Sequence, residues 1–382
     1  MKKICFVSTI PGSLRTFLLK PATALHETGE FEIYFMSSRD EEAEKDFPPF
    51  IHFIPIPMKR GVDLSALSVV RKMKAVFKKE RFDIVQYFTP NAACYASIAA
   101  KSAKIPVRVY SQWGILYVGF HGFKRSVYKY IEKMVCRKST CIEVENQANL
   151  DFSHAEKLYP ADRGSVIWNG SAVGVPLDRF DIDRKAEWNE SVRGQFGIPK
   201  EDYVFGFCGR QNKDKGLNEL LEAMRKIVGE KPAAHLLLVG RDADAKSLNE
   251  ELYAWAKSCP NVHFTGRVSD PEKYYAAMDC YVMPSYREGF GMTVIEAESM
   301  AVPVIASDIV GHKGTMIPDV TGVLVESHSS KALYDAMNRM MADRSAGVEM
   351  GKRGREYVEQ NFEQKELLRR IVEIRKKQAG LQ

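Results

Sequence analysis

Two carboxylates bracket two glycines in Glu288-Gly289-Phe290-Gly291-Met292-Thr293-Val294-Ile295-Glu296. The glycines let the backbone come close to a bound molecule, and the run from Met292 onward reads as a helix. A helix start carries unpaired N–H groups and the positive end of its dipole, which suits a phosphate. Glu288 and Glu296 lie eight residues apart, a little over two turns, so they share a face if the helix begins early. Carboxylates accept from hydroxyls. The segment therefore suits a molecule with hydroxyl groups on either side of a diphosphate, as in a nucleotide sugar.

The complement is Gly209-Arg210-Gln211-Asn212-Lys213-Asp214-Lys215-Gly216. It follows the apolar run Tyr203 to Cys208 and precedes helical spacing at Leu217, Leu220, Leu221 and Met224. Strand, basic turn, helix is the layout of a phosphate-facing crossover in an α/β domain. Arg210 can fork onto phosphate oxygens and Lys215 adds a point charge. By themselves these are ordinary solvated turn cations; beside the two glutamates they read as phosphate ligands.

Elements that would position these groups come in two sets. Ile4–Val7, Glu32–Met36, Ile84–Phe88, Val107–Tyr110 and Cys141–Val144 have strand character. Helical spacing separates them at Leu14–Glu27, Leu64–Lys79, Asn91–Ser102 and Phe123–Arg137. The rhythm restarts at Tyr203–Cys208, His235–Val239, Val262–Thr265, Cys280–Met283 and Val304–Ala306. Strand–helix alternation predicts parallel, doubly wound sheets. The stretch Trp168 to Pro199, rich in Gly, Pro and Asp, is expected to link them. A chain of 382 residues fits two domains better than one core.

Together the segments resemble the signature of retaining glycosyltransferase family 4. The resemblance extends to Pro11-Gly12-Ser13-Leu14-Arg15 after the first strand, Val166-Ile167-Trp168-Asn169-Gly170, Gly174 to Phe180, Val302 to Asp308, and Thr321 to Val325. It is nearest to bacterial members that build capsule, exopolysaccharide or lipid-linked oligosaccharide. It implies an α/β, GT-B fold of two Rossmann-like doubly wound domains facing across a cleft. Residues 1–170 would form the acceptor domain, with a C-terminal helix at about 364–382 crossing back, and 171–363 the nucleotide-sugar domain.

The resemblance implies an enzyme with Arg210, Lys215 and Glu288 as catalytic groups. Glu288 would hold sugar hydroxyls and Glu296 the ribose, with backbone N–H groups of Phe290 and Gly291 on the sugar. Gly12 would admit the diphosphate from the first domain, and the backbone of Arg267 and Val268 would flank a uracil. Members commonly place a histidine where Trp113 stands here. Indole donates one hydrogen bond and accepts none, so a 6-deoxy sugar or an N-acetylhexosamine is the expected cargo of a UDP-sugar donor. His121, eight residues on, reads as a surface residue. The acceptor would be a lipid-linked glycan or surface polysaccharide.

Cleavage at the anomeric carbon leaves charge on the departing phosphate, which many transferases neutralise with a metal on Asp-x-Asp. Asp181-Ile182-Asp183 and Asp242-Ala243-Asp244 fall in the linker and a surface-like turn. Metal-independent catalysis is therefore expected, with Arg210, Lys215 and the helix start at Met292 and Thr293 in the metal's place and no cofactor beyond the donor. Other classes compatible with the residues are a GT-B sugar-nucleotide epimerase and a catalytically weak nucleotide-sugar-binding subunit.

The formal charge is +6, concentrated at Arg71 to Arg81 and Lys124 to Lys138. No nucleic-acid module accompanies it. Phe123, Val127, Ile131 and Met134 share a helical face beside Lys124, Lys129 and Lys133, a pattern that can lie on anionic lipid. No run reaches the ~18 apolar residues of a membrane span, and the N-terminal apolar stretch reads as a buried strand. A cytoplasmic chain with peripheral membrane contact is expected. The seven cysteines include no metal-ligand spacing and read as free thiols.

Overall fold

The computed structural model describes residues 1–59, 65–242 and 245–381. Leu64, at the head of one expected helix, and Ala243 and Asp244, of the second Asp-x-Asp, lie outside these residues. The chain divides into two units, Met1–Val173 with the stretch from Lys365, and Gly174–Gln364.

The first unit holds seven strands: β1 Lys2–Val7, β2 Phe31–Ser37, β3 Ile51–Pro55, β4 Ile84–Tyr87, β5 Val107–Gln112, β6 Cys141–Val144 and β7 Ser165–Val166. All pair in parallel in the order β3-β2-β1-β4-β5-β6-β7. Side chains alternate across a strand, so Ile4 and Phe6 of β1 enter one buried layer while Cys5 and Val7 enter the opposite one. The helix Gln364–Gln378 belongs to this unit over most of its length. Its Arg375, 1 % exposed, forks onto both oxygens of Glu143 at 2.5 and 2.6 Å. The Gln86 side-chain oxygen accepts from the same guanidinium at 3.0 and 3.3 Å.

The second unit has six parallel strands: β8 Tyr203–Cys208, β9 Ala234–Val239, β10 Val262–Gly266, β11 Cys280–Met283, β12 Val304–Ser307 and β13 Gly322–Val325. Their order is β10-β9-β8-β11-β12-β13. Helices cover both faces, which is why β9 runs as the unbroken apolar Leu236-Leu237-Leu238-Val239. The expected linker contains a helix, Lys185–Gln195. Trp188 and Val192, four residues apart, bury one face of it, a signal that the surrounding Gly, Pro and Asp hid.

In both units the strand order reverses direction once, between β1 and β4 and between β8 and β11. Ligands of doubly wound folds bind at the carboxyl ends of the strands flanking such a point.

Candidate active site

In the second unit the loops after β8 and β11 flank the reversal, and they carry the two segments singled out in the sequence. They are tied together at several points. Gly216 turns with φ +67°, and a Cβ there would lie 2.0 Å from the Pro284 carbonyl oxygen. Only glycine permits both the backbone angle and the approach. The Tyr286 N–H donates to the Asp214 carbonyl at 2.9 Å, and the Arg287 guanidinium reaches the Asp214 carboxylate at 2.6 Å. The Asn212 side chain accepts from the Lys215 N–H at 3.1 Å and fixes the tight turn Lys213–Lys215. From that turn the Lys215 ammonium reaches Glu288 Oε1 at 2.5 Å, and both side chains are largely shielded. Arg210 opens the same turn and is exposed.

The helix that follows spans Met292–Ser299 with Gly291 as its cap. It begins four residues after Glu288, so Glu288 belongs to the loop and Glu296 to the helix; they do not share a helical face as the spacing suggested. The Gly291 N–H already donates to the Gly311 carbonyl at 3.1 Å, and the Met292 N–H to the Phe290 carbonyl at 2.8 Å. The tight turn thus consumes two of the donors that the sequence assigned to a ligand. Thr293 follows as the second residue of the helix, its hydroxyl 3.8 Å from the Met283 sulfur. The Phe290 ring is buried against Phe362 at 5.6 Å between centroids, which leaves its backbone, not its side chain, for a ligand.

Glu296 accepts a hydrogen bond from the Tyr275 hydroxyl at 2.9 Å. Burial pushes its carboxyl up to about 7, against the opposing pull of Tyr275 and Arg179. Tyr275 itself is fully buried; nothing in its sequence context announced that role. At the far side of the site, Gly240 just after β9 and Gly266 at the end of β10 are joined by a 2.9 Å backbone bond from Gly240 N–H to the Gly266 carbonyl. Arg267, exposed, and Val268, half-buried, come next. Arg267, Val268, Arg210, Lys215, Glu288 and the Met292 helix start therefore all lie at the carboxyl edge of one sheet.

Gly12 and Trp113 occupy the same edge of the other sheet. Gly12 is the second residue of the helix Pro11–Glu27, and a Cβ there would meet nothing within 4 Å. Trp113 follows β5 and packs against Phe88 at 4.9 Å and Phe17 at 5.6 Å. His121 is exposed and caps the helix Gly122–Lys138. In the first Asp-x-Asp, the Asp181 carboxylate accepts the Asp183 N–H at 3.0 Å, a turn-capping role.

Comparison with known proteins fits this geometry. The family model "Glycosyl transferases group 1" matches residues 189–357, and "Glycosyl transferase 4-like" matches 3–146. The capsular polysaccharide biosynthesis glycosyltransferase CapM of Staphylococcus aureus is 31% identical over 332 residues, 87% of this chain and 86% of that protein. An Escherichia coli UDP-Gal:alpha-D-GlcNAc-diphosphoundecaprenol alpha-1,3-galactosyltransferase is 24% identical, covering 81% of this chain and 80% of its own. Among solved structures, sucrose-phosphate synthase of Thermosynechococcus elongatus superposes with TM-score 0.80 at 20% identity, covering 99% of both chains. Anabaena HepE in complex with UDP-glucose does so with TM-score 0.80 at 19%, covering 99% of this chain and 100% of that one. The protein is a glycosyltransferase of the GT-B fold, and within that class the chain belongs to glycosyltransferase family 4.

Proposed function

We propose that this enzyme transfers a sugar from a UDP-sugar to a lipid-linked or surface-polysaccharide acceptor, with retention of anomeric configuration and without a metal ion. The observation that carries the reading is the Lys215–Glu288 pair at the strand-order reversal. It sets an ammonium and a hydroxyl-accepting carboxylate side by side, next to the helix start and its dipole. In the step proposed, the bond from the anomeric carbon to the diphosphate oxygen breaks and its electron pair leaves with UDP. The acceptor oxygen bonds to the same carbon from the same face, and its proton passes to the departing phosphate oxygen. Lys215, Arg210 and the helix start carry the positive charge that this oxygen requires. Glu288 holds sugar hydroxyls, Glu296 the ribose, and the Val268 segment the base.

Trp113 in place of a hydrogen-bond acceptor supports an N-acetylhexosamine or 6-deoxy donor. CapM and the E. coli galactosyltransferase, by their names, serve capsule and diphosphoundecaprenol-linked glycans, which supports an acceptor of that kind. No described helix is long and apolar enough to cross a membrane. Peripheral contact is instead assigned to the helix Gly122–Lys138, where Phe123 is 85 % and Tyr130 64 % exposed among lysines.

The test is incubation with a panel of UDP-sugars, with and without membrane lipid extract. UDP release that depends on the extract, with the product anomer matching the donor by NMR, supports the reading. An altered sugar without UDP release would make the protein an epimerase, and strong preference for UDP-glucose would sink the Trp113 argument.

A further inference from the structure

We propose that His312 positions Glu288, its Nε2 taking over the Gly291 N–H from the Gly311 carbonyl when the Glu288–Gly291 segment closes on a nucleotide sugar. The inference rests on the reading of the site given above.

His312 ends the turn that follows β12 and is completely buried. Its Nδ1 lies 2.8 Å from the Ser307 carbonyl. A carbonyl only accepts, so Nδ1 carries the proton and Nε2 presents a lone pair. That lone pair is buried and has no partner among the described residues. Buried acceptors are ordinarily satisfied, because leaving one unpaired forfeits its hydration with nothing in return.

The ring is not remote from the chemistry. A Cβ on Gly291 would meet His312 Cδ2, the carbon bonded to Nε2, at 2.9 Å. One residue earlier, a Cβ on Gly311 would meet the Glu288 carbonyl oxygen at 2.4 Å. The backbone of Glu288 to Gly291 is therefore seated directly on Gly311 and His312. The single N–H of Gly291 is now given to Gly311 at 3.1 Å, and the proposal is that a small shift of the segment over the imidazole brings it to Nε2. Two acceptors for one donor give the segment two defined positions, and Glu288 moves with it. Burial keeps the imidazole neutral, although the Glu288 charge pulls the other way, so Nε2 stays an acceptor.

Three variants separate the parts. His312→Asn keeps an amide N–H where Nδ1 stood and has nothing at Nε2. His312→Leu removes both, and His312→Gln returns an amide oxygen near the Nε2 position. In variants that melt cooperatively, UDP affinity by calorimetry stays at the wild-type value. The kcat for UDP-sugar falls about 10²-fold in Asn and Leu, the scale of a small misplacement of a reacting group, and Gln recovers most of it. A folded Asn variant with wild-type kcat, or a loss of UDP affinity in step with kcat, overturns the proposal. Should the wild-type protein turn over no UDP-sugar, the functional reading fails. Amide exchange across residues 286–295 then decides the rest: faster exchange in His312→Leu supports a positioning role, and unchanged exchange sinks it.

Discussion

Lys215 is the residue on which the proposed chemistry turns, and its surroundings limit it. Paired with Glu288, its charge is half spent before any diphosphate arrives, and the neighbouring Arg287 is likewise held by Asp214. The helix start adds its dipole to what these two pairs leave. Replacing Lys215 by Ala should lower kcat about 10²–10³-fold, as for loss of one pre-placed electrostatic donor. Melting temperature should also fall, because Glu288 is left largely shielded without its cation; UDP-release kinetics on the folded variant and calorimetry read the two. Glu296 allows a test of sign. Its folded carboxyl titrates near 7, above the ordinary value, so its contribution is fully present below the unfolded pKa and is lost as pH rises through about 7. Glu296→Gln should therefore raise the melting temperature at pH 8.5 and leave it nearly unchanged at pH 4.5. An equal shift at both would refute the assigned cause.

At the scale of elements, the C-terminal helix is held by a buried cation. Arg375→Met should cost about 3–5 kcal/mol in urea unfolding, because Glu143 is left charged and unpaired in the interior. Adding Glu143→Leu should restore most of that, since replacing both members of a buried pair is often neutral. The helix Gly122–Lys138 departs from its apparent stripe. Met134 packs on the core and Val127 and Ile131 are half-buried, while Arg125 and Lys129 engage Glu156. Facing outward are Phe123, Lys124, Ser126, Tyr130 and Arg137. Phe123→Ser should weaken sedimentation with anionic vesicles and leave binding to neutral vesicles as it was.

Across the whole molecule, the six strands of the second sheet follow the order of the first six of the other, yet the two ends of the second sheet's strands differ in chemistry. At the amino ends of β8, β9 and β10, Asp202, His235 and His263 form a chain with contacts of 2.9 and 3.0 Å. Burial, and then the charge of His235, lower His263 to about 4. A histidine with a depressed folded pKa contributes stability above its unfolded value near 6.5, and that stability is lost as pH falls toward 4. Scanning calorimetry between pH 7 and 4.5 should show a fall in melting temperature that His263→Asn reduces.

How much of this was legible beforehand depended on range. The strands β1, β8 and β11 and the glycine-bracketed glutamates were readable, because alternation, apolar runs and turn residues are local signals. The helix start at Met292 was readable from its glycine-flanked loop, whereas the helix Lys185–Gln195 was hidden by composition. Long-range facts had no local trace: Tyr275 on Glu296, His312 under Gly291, and Arg375 on Glu143, 232 residues away.

The amino-acid order alone determined two doubly wound sheets and the residue types at one carboxyl edge, since backbone periodicity and turn chemistry act between near neighbours. Only the tertiary structure decided which N–H groups the chain keeps for itself and which carboxyl is buried enough to hold its proton near neutrality. Those depend on desolvation and on partners from distant strands, quantities that exist only once the sheets are packed.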